Sequence, residues 1–392
     1  MVRYLRAANV KDGKLDLDDV QLMNFTPTEQ AVFSLRPGDV LVTEGSGSLG
    51  SVGASAVWRG ELEGTICFQN TLLRMRPRAG VDGRYLEWWA RSAFGAGVFA
   101  SIASGANIYH LSAERVRALP MTVPSPEEQQ RIAEFLDAAI SQMDRLNSLR
   151  LQQIDLLEEG WLGSWAAIIR SDAEKSQWVP IRRFITEITD GPFGSSLTSA
   201  HYSDSGARVI RLGNIRRAEY RELDPAYISD EYFTKLRRHE AVAGDLIIAG
   251  LGDQKNPLGR ACTVPANLGP AIVKADCFRV RLDQRKVLHE YAAWALSSPP
   301  VTDQVALLAR GSTRARINLE VVREVMIPTP TVERQRLSVA KMSTIRSNVQ
   351  ALTTLLHHQI GLLAERRQAL ITAAVTGQFD VSTASGRGVD VP

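Results

Sequence analysis

A glycine-rich run is the first feature of this sequence that could hold a phosphate group. Residues 45–50 read GSGSLG and fit the G-x-G-x-x-G pattern, which lets a backbone approach a pyrophosphate. A dinucleotide site also needs a helix that begins at this loop, so that its amides face the phosphates. The residues that follow, 51–58, have β-strand character, and a similar run at 250–255 lacks the third glycine. We therefore interpret both runs as surface loops between strands.

A second pattern comes close to the catalytic loop of adenine methyltransferases. Such an enzyme needs a D/N-P-P-Y-type loop for the target base and a glycine-rich loop of the form F-x-G-x-G for its cofactor. Residues 224–227 read DPAY and lack the second proline, and residues 94–97 read FGAG, one residue short. Neither loop is complete, so we do not predict methyl transfer by this chain alone. His357 and His358 are adjacent, so on a helix they point in different directions and do not predict a metal site.

Composition restricts the class of protein without identifying a ligand. The 392 residues carry 46 Lys and Arg against 43 Asp and Glu, a net charge of +3, so any basic surface must be local. Three scattered cysteines without metal-like pairing fit a reducing cytoplasm. No apolar run approaches the roughly 20 residues of a membrane span. We expect a soluble, cytoplasmic protein of two domains without bound metal.

The sequence contains two copies of one long unit. Residues 4–10 (YLRAANV) match 209–215 (VIRLGNI), and residues 37–43 (PGDVLVT) match 243–249 (AGDLIIA). The offset of about 205 residues persists to the leucine pairs at 156–157 and 362–363. Within each copy, short β-branched runs such as 39–43, 209–212 and 245–249 predict strands. Each copy is therefore a globular segment of mixed α/β structure followed by a long helix.

Two long amphipathic helices are the clearest local prediction. Ser125 can cap the first helix, Pro126 suits its first position, and Glu128 completes a capping box. The second helix is expected to start at Thr329 and Pro330, with a weaker cap because Glu333 falls one residue late. Apolar residues recur every three or four positions and form one narrow stripe on each helix. The residues predicted to pack there, or to bind a partner, are Ile132, Leu136, Met143, Leu146, Ile345, Val349, Leu352 and Leu356.

These elements predict an α+β fold with two pseudo-repeated mixed α/β domains, joined by an antiparallel coiled coil of the two long helices. The expected bounds are 1–124 for an N-terminally short first domain, 125–170 for a central spacer helix, 171–328 for the second domain, 329–377 for a distal spacer helix and 378–392 for a tail. An alternative is that each helix docks only on its own domain.

Local clusters of basic residues predict nucleic-acid contacts despite the small net charge. Arginine and lysine neutralise phosphates, whereas side chains such as Arg, Asn and Gln can read base edges from a groove. The predicted DNA-binding residues are Arg6, Asn9, Lys11, Ser195, Ser196, Arg211, Asn214, Arg216, Arg217, Lys235, Arg237, Arg238, Gln254, Lys255, Arg310, Arg314 and Arg316. The simpler interpretation of such clusters is an ordinary solvated surface.

The complete layout resembles the specificity subunits of type I restriction-modification systems. Four stretches carry the resemblance: 124–133 (PSPEEQQRIA), 328–337 (PTPTVERQRL), 189–195 (TDGPFGS) and 373–377 (AAVTG). The resemblance implies two target recognition domains that each read half of an interrupted DNA site, on a helical ruler that docks two modification subunits. It also implies a restriction/translocase partner and no catalysis by this chain. S-adenosylmethionine is then expected on the modification subunits, and no cofactor on this chain.

The two copies differ at their beginnings. About 30 residues, 178–207, precede the first matching strand of copy two, whereas only Met1, Val2 and Arg3 precede that of copy one. Either translation starts upstream, or the first domain is truncated and reads its half-site poorly. Two other functions remain open at this point. One is a helical scaffold without DNA readout, and the other is the recognition half of a type II-like restriction-methylation enzyme.

Overall fold

The chain divides into two compact units in a computed structural model, which describes residues 1–253, 255–309 and 315–381. Unit 1 consists of residues 1–152 and 356–392, and unit 2 of residues 153–355. No helix in the described part is long and apolar enough to cross a bilayer.

Unit 1 is built on two small sheets. Its strands are β1 (Val2–Leu5), β2 (Val10–Lys11), β3 (Lys14–Leu15), β4 (Gln21–Met23), β5 (Val40–Thr43), β6 (Gly45–Ser46), β7 (Ser55–Val57), β8 (Ile66–Phe68), β9 (Leu72–Met75) and β10 (Tyr109–His110). One sheet has the order β4-β1-β8, with β1 parallel to β8. The other has the order β7-β5-β9 and is antiparallel. The fully buried run VLVT makes β5 its central strand.

Unit 1 also contains several short helices. They are α1 (Pro27–Phe33), α2 (Gly83–Gly95), α3 (Val98–Ile102) and α4 (Ala113–Arg117). The side chain of Asp82 caps α2 by accepting hydrogen bonds from the amides of Arg84 and Tyr85 at 2.7 and 3.2 Å. One face of α2 packs on β5 and β7, while Tyr85 and Trp88 pack against residues of the long helices.

Unit 2 contains more strands. They are β11 (Trp178–Pro180), β12 (Ile185–Asp190), β13 (Tyr202–Ser203), β14 (Ala207–Ile210), β15 (Ile215–Arg216), β16 (Glu219–Tyr220), β17 (Tyr227–Ile228), β18 (Glu240–Ala241), β19 (Leu246–Ala249), β20 (Ala261–Thr263), β21 (Ala271–Val273), β22 (Cys277–Leu282) and β23 (Met326–Pro328). Strand β14 lies parallel to β21, and the antiparallel sheet has the order β12-β22-β19-β20. Strand β11 pairs with β23. Among the described residues of unit 1, the parallel pair and the antiparallel trio recur, whereas the pairings of β12 and β11 do not.

The long helix α5 (Pro126–Glu174) runs through both units. It begins as the sequence predicts, because the Ser125 hydroxyl accepts a hydrogen bond from the Glu128 amide at 3.3 Å. Gln129 is completely buried one turn into the helix. Its side-chain oxygen accepts from the Asp82 amide at 2.8 Å, and its nitrogen donates to the carbonyls of Gly80 and Pro124. This glutamine therefore fixes the start of α5 to the loop that precedes α2.

The second long helix, α10 (Val332–Val375), begins three residues later than predicted. It follows α6 (Asp230–Lys235), α7 (His289–Ser297), α8 (Pro299–Leu308) and α9 (Leu319–Glu324) in unit 2. Thr331 caps it by accepting from the Arg334 amide at 3.4 Å. Thr329 is not available as a cap, because its amide and hydroxyl donate to the carbonyl of Gln177 beside β11. Gln335 is buried and bonds to Leu288, Lys286 and Pro330, in the same way that Gln129 bonds in unit 1.

The predicted stripe residues differ in how deeply they are buried. Ile132 and Leu136 lie in a core of unit 1 that also contains Ile371 and Val375 from α10. Met143, Ile345 and Val349 are half-buried, and Leu356 is 9% exposed. Leu146 is 46% exposed and Leu352 is 48% exposed, so neither side chain is packed in a core, and their binding to a partner stays a prediction. Both lie near the middle of their helices, where neither globular core reaches them.

The core of unit 2 includes the second half of α5 and the first half of α10. Trp165 stacks on Trp161 and meets Trp294 of α7 edge to face, at centroid distances of 5.2 and 5.1 Å. The buried carboxylate of Asp172 accepts hydrogen bonds from Arg334 at 2.8 Å and from the Ser338 hydroxyl at 3.0 Å. These contacts join α5 to α10 within unit 2. They also give the buried carboxylate of Asp172 the hydrogen-bond partners that a buried charge requires.

Candidate nucleic-acid interface

Two predicted base-reading residues, Asn9 and Asn214, are buried within tight turns. The side-chain oxygen of Asn214 accepts from the Arg211 amide at 2.9 Å, and its nitrogen donates to the carbonyls of Arg221 and Leu223. Asn9 makes the same set of bonds with Arg6, Asp16 and Asp19. An amide whose donors and acceptor are all used by the backbone has none left for a base edge. Their burial argues against the predicted role and gives both residues a structural one.

The loop that follows β12 presents an exposed aromatic ring. Gly191 packs against the turn at 274–276, where a Cβ atom on it would lie 2.0 Å from the carbonyl carbon of Lys274. This close approach orients the next residues outward, and Phe193 is 43% exposed. Ser195 and Ser196 are exposed beside it. The sequence predicted the two serines as DNA contacts but did not single out Phe193.

Arg316 lies against this loop and connects it to the neighbouring turn. Its guanidinium is 5.8 Å from the centroid of the Phe193 ring and 2.7 Å from the carboxylate of Asp276. A cavity of about 620 Å³ opens here, lined by residues that include Asp190, Phe193, Phe278 and Arg316. The arrangement combines an exposed aromatic face with a half-exposed cation, which suits contact with bases and with phosphates.

A second cavity, of about 560 Å³, lies on the other side of the same turn. Arg211, Asp224, Lys274 and Asp276 contribute to its lining. Arg211 is one-third exposed and forms an ion pair with Asp224 at 3.7 Å. The Asp224 side chain is 92% exposed. Asp224 and Asp276 both have positive φ angles, 48° and 64°, which aspartate tolerates better than most residues. The tight turns place Arg211 and Lys274 at the mouth of one cavity.

The cluster of Lys235, Arg237 and Arg238 is exposed and joins the Asp190 loop through His239. Arg238 donates from Nε to Nε2 of His239 at 2.8 Å, and the other ring nitrogen of His239 contacts the carbonyl oxygen of Asp190. Burial lowers the pKa of His239, so its ring stays neutral near pH 7. Lys235 and Arg237 have ion-pair partners within their own segment, Glu231 at 2.8 Å and Glu240 at 3.8 Å.

The other residues of unit 2 that were predicted to contact DNA differ in their exposure and in their partners. Arg216 donates to the side-chain oxygen of Asn256, and Lys255 is exposed next to it. Arg217 is half-buried, and this burial lowers the pKa of its guanidinium. Gln254, Arg310 and Arg314 lie outside the described residues, and we draw nothing from them.

Arg260 is a residue of this region that the sequence did not reveal. Its side chain is buried and donates to the carbonyls of Ile215, Leu251 and Leu212, at 2.8, 2.9 and 3.1 Å. One guanidinium therefore fixes three loops of unit 2 at the base of the candidate surface. Only its neighbours in space distinguish it from a surface arginine, so no sequence pattern could have identified it.

In unit 1 the glycine-rich run, residues 45–50, forms the short strand β6 and the turns that follow it. Residues 45–46 pair with β10, and residues 47–54 lead through turns to β7, without a helix that could bind pyrophosphate. A cavity of about 400 Å³ beside it is lined by residues that include Lys11, Asp12 and Ser46. Lys11 is exposed, whereas Arg6 forms an ion pair with Asp19.

The described residues contain no group of His, Cys, Asp and Glu that could hold a metal ion. Cys67, Cys262 and Cys277 are buried thiols, and burial raises the pKa of all three, that of Cys262 to about 12. Such thiols are not reactive at neutral pH.

Comparison with known proteins identifies what the chain is similar to. It matches the specificity subunit of the type I restriction enzyme StySPI of Salmonella potsdam, with 30% identity over 155 residues. That match covers 38% of this chain and only 32% of the relative. It matches the specificity subunit of EcoKI of Escherichia coli with 19% identity, over 96% of this chain and 82% of the relative. No family model matches.

Solved structures agree in fold over nearly the whole chain. One, described as showing complex assembly and conformational transition of the type I R-M system, gives a TM-score of 0.76 at 18% identity, with 96% of this chain and 92% of that chain covered. The HsdS subunit from Thermoanaerobacter tengcongensis gives a TM-score of 0.56 at 17% identity, with coverages of 96% and 91%. The chain thus has an HsdS-like fold of mixed α/β structure with long helices. The resemblance predicted from the sequence is confirmed.

Proposed function

We propose that this chain, which resembles type I specificity subunits along its length, is the DNA-recognition subunit of a type I restriction-modification complex. The observation that carries the proposal is the match to the EcoKI specificity subunit over 96% of the chain. In this function the chain reads a bipartite, interrupted site and holds the methyltransferase and restriction subunits, in the cytoplasm of its host.

The proposed architecture is a pseudo-repeat of two target recognition domains joined by an antiparallel coiled coil. The parallel pairs β1–β8 and β14–β21 support the repeat, as do the antiparallel trios β7-β5-β9 and β20-β19-β22. Unit 1 contains the first half of α5 and the second half of α10, and unit 2 contains the other halves. Because each unit contains the beginning of one long helix and the end of the other, this division supports two helices that run in opposite directions. At about 1.5 Å per residue, the 49 residues of α5 are roughly 70 Å long.

We propose that DNA contacts in unit 2 centre on the loop after β12 and on the turn at 274–276. Exposed cations anchor phosphates, and Phe193 with its serine neighbours contacts bases. The residues kept in the proposed set are Ser195, Ser196, Arg211, Arg216, Lys235, Arg237, Arg238, Lys255 and Arg316, with Arg6 and Lys11 in unit 1. Asn9 and Asn214 are removed because their amides are fully hydrogen-bonded.

The chain is proposed to perform no chemistry itself. Two modification subunits dock on the long helices and bind S-adenosylmethionine, and a restriction/translocase subunit joins them. The exposed leucines along the helices, among them Leu149, Leu156, Leu355 and Leu362, support a role as docking surface, because these side chains are about half exposed or more.

A methylation assay tests this function directly. The chain is purified with the modification subunits of its host. The complex is incubated with labelled S-adenosylmethionine and with DNA that lacks the host's methylation, and the methylated bases are mapped. We expect methylation of one interrupted sequence by the complex and none by the chain alone. Methyl transfer by the isolated chain would show that it is an enzyme. Methylation by the modification subunits regardless of the chain would leave only a scaffold function.

DNA binding by the chain alone gives a second, independent readout. If several phosphates are neutralised, the logarithm of the binding constant falls linearly with the logarithm of salt concentration, with a slope of about −0.9 per phosphate. Affinity that does not depend on salt would contradict phosphate anchoring and favour the helical scaffold without DNA readout.

A further inference from the structure

Two lysines lie opposite each other in the hairpin of β2 and β3 in unit 1. Lys11 is paired with Lys14 in the register of the two strands, and both residues are exposed. Among the described residues, no carboxylate forms an ion pair with either lysine. Like charges placed directly opposite each other on neighbouring strands repel and destabilise the pair. An anion that binds to both ammonium groups would therefore stabilise this hairpin.

The acidic residue at the tip of this hairpin already has cationic partners. One carboxylate oxygen of Asp12 accepts a hydrogen bond from Arg91 of α2 at 3.3 Å. The other oxygen accepts two bonds from Arg367 of α10, both at 3.3 Å. Because both oxygens are bonded to guanidinium groups, this carboxylate does not neutralise the two lysines. The same bonds attach the tip of the hairpin to α2 and α10 and so hold the lysines in position.

The cavity of about 400 Å³ beside the hairpin has a lining that suits a phosphate group. Besides Lys11, it is lined by four residues of the glycine-rich run and its continuation, Gly45, Ser46, Gly50 and Ser51. Serine hydroxyls, backbone amides and lysine ammonium groups are common donors to the phosphate oxygens of DNA. A pyrophosphate site of the dinucleotide-binding type needs a helix that begins at the run, whereas a single phosphodiester needs only such donors. The run can therefore line a phosphate contact.

The equivalent hairpin of unit 2, formed by β15 and β16, is neutralised within the protein. Arg216 and Glu219 occupy the positions of the two lysines and are paired in register, so the opposing residues carry opposite charges. Arg216 also donates to the side chain of Asn256, and Glu219 forms an ion pair with Arg346. The fold of the hairpin therefore does not require two cations, and the lysine pair is a property of unit 1 alone.

We propose that Lys11 and Lys14 together bind one phosphate of the DNA backbone at the mouth of this cavity, an inference that rests on the proposed function of the chain. Lys14, which the sequence did not single out, thereby joins the DNA contacts of unit 1. The glycine-rich run supplies hydroxyl and amide donors from the cavity wall. Asp12 is a positioning residue, because it holds the hairpin through its bonds to Arg91 and Arg367. A contact of this kind anchors DNA whatever its base sequence.

Salt titrations of DNA binding by the full chain test the contact. One phosphate contact is lost in the double variant Lys11→Gln with Lys14→Gln, so its salt slope should fall by about 1, and each single variant should lose part of this. Affinity should fall by the same factor for target and non-target DNA. The matched control is the double variant Lys175→Gln with Lys286→Gln, which removes two exposed lysines of unit 2 and should keep the slope.

Two further readouts separate a phosphate contact from a purely structural role. Without DNA, Lys14→Gln should unfold at the same temperature as the original chain or at a higher one, because the repulsion across the hairpin is removed. A structural role predicts a lower unfolding temperature. Lysine acetylation followed by mass spectrometry should be several-fold slower at Lys11 and Lys14 when duplex DNA is bound, and unchanged at Lys175. Parallel samples with ATP in place of DNA should show no protection.

Three outcomes would overturn the inference, and each has a different meaning. A steep salt slope that the Lys11 and Lys14 double variant leaves unchanged would show that DNA binds elsewhere, with the proposed function intact. Protection of the two lysines by ATP but not by DNA would assign the cavity to a nucleotide phosphate. DNA affinity of the original chain that does not depend on salt would remove both this contact and the proposed phosphate anchoring.

Discussion

At the scale of single residues, the asparagine turns show how a repeated motif can mislead. Asn9 and Asn214 recur at equivalent positions, and the sequence presents them as polar residues beside arginines. Their recurrence reflects a tight turn whose carbonyls and amide they satisfy, since each is at most 3% exposed. Sequence identifies a required residue here but not whether the requirement comes from the fold or from a ligand.

The variant Asn214→Ala is predicted to lose folding stability. Removing the amide leaves the Arg211 amide and the carbonyls of Arg221 and Leu223 without their partner, which costs about 1–3 kcal/mol. Urea unfolding should show this loss, whereas the exposed Ser195→Ala should change stability by less than about 0.5 kcal/mol. A stable Asn214→Ala variant with altered target sequence would restore the base-reading role.

Phe193 and Arg316 should affect DNA binding in different ways. Arg316→Ala removes one phosphate-neutralising cation and should lower the salt slope by about 1. Phe193→Ala should weaken binding by about 1–3 kcal/mol, the range of base–aromatic stacking, with the slope unchanged. Titrations at several salt concentrations separate the two effects. Arg285→Ala, at a 90% exposed site on another loop, is the matched control for Arg316→Ala, and an equal loss there would reduce the Arg316 effect to net charge.

At the scale of elements, the sequence predicted helix α5 and the central strands well. Residues 39–43 and 245–249 were predicted as strands, and β5 and β19 lie within them. Local patterns sufficed there because capping and β-branched runs act over a few residues. The start of α10 differed because Thr329 bonds to Gln177, more than 150 residues away. Leu146 and Leu352 are about half exposed, because the stripe on a helix does not show where the core that covers it ends.

The link between β12 and β22 should be sensitive to acid. The hydrogen bond from Arg279, with further contributions from both arginines, lowers the pKa of Glu187 from 4.5 to about 2. Because the folded-state pKa is lowered, the ionised carboxylate stabilises unit 2 above pH 4.5, and this contribution is lost as the pH falls from 4.5 towards 2. Unfolding measured across this range should depend less on pH in Glu187→Gln. Glu320→Gln, on the exposed side of α9, should keep the dependence of the original chain.

Gly191 should be intolerant of any side chain. A Cβ atom would lie 2.0 Å from the backbone of Lys274, so Gly191→Ala must displace the loop that carries Phe193. We expect weaker DNA binding and a stability loss of about 1–3 kcal/mol. Gly213→Ala is the matched control, because nothing lies within 4 Å of its Cβ position. Unchanged DNA affinity in Gly191→Ala would remove the loop from the proposed interface.

At the scale of the whole molecule, the long helices are proposed to set the distance between half-sites. Seven residues inserted after Gln152 and seven after Leu355 fall at the boundaries of the units. They add about 10 Å to both helices, or roughly 3 base pairs of spacer. Mapping of methylated bases should show a longer gap between unchanged half-sites. An insertion in only one helix should abolish specific methylation, and an unchanged gap after the double insertion would contradict the ruler.

The division of the chain into units also has a consequence for its synthesis. Unit 2 is one continuous stretch, residues 153–355, whereas unit 1 joins residues 1–152 to residues 356–392. Tyr85 donates to the carbonyl of Val375, and Ile132 and Leu136 share a core with Ile371. A ribosome therefore synthesises everything that unit 2 requires before it makes the last helical turns that unit 1 requires. The first segment to be translated is the last to complete its core, and until then Tyr85, Ile132 and their neighbours are without the α10 side chains that bury them.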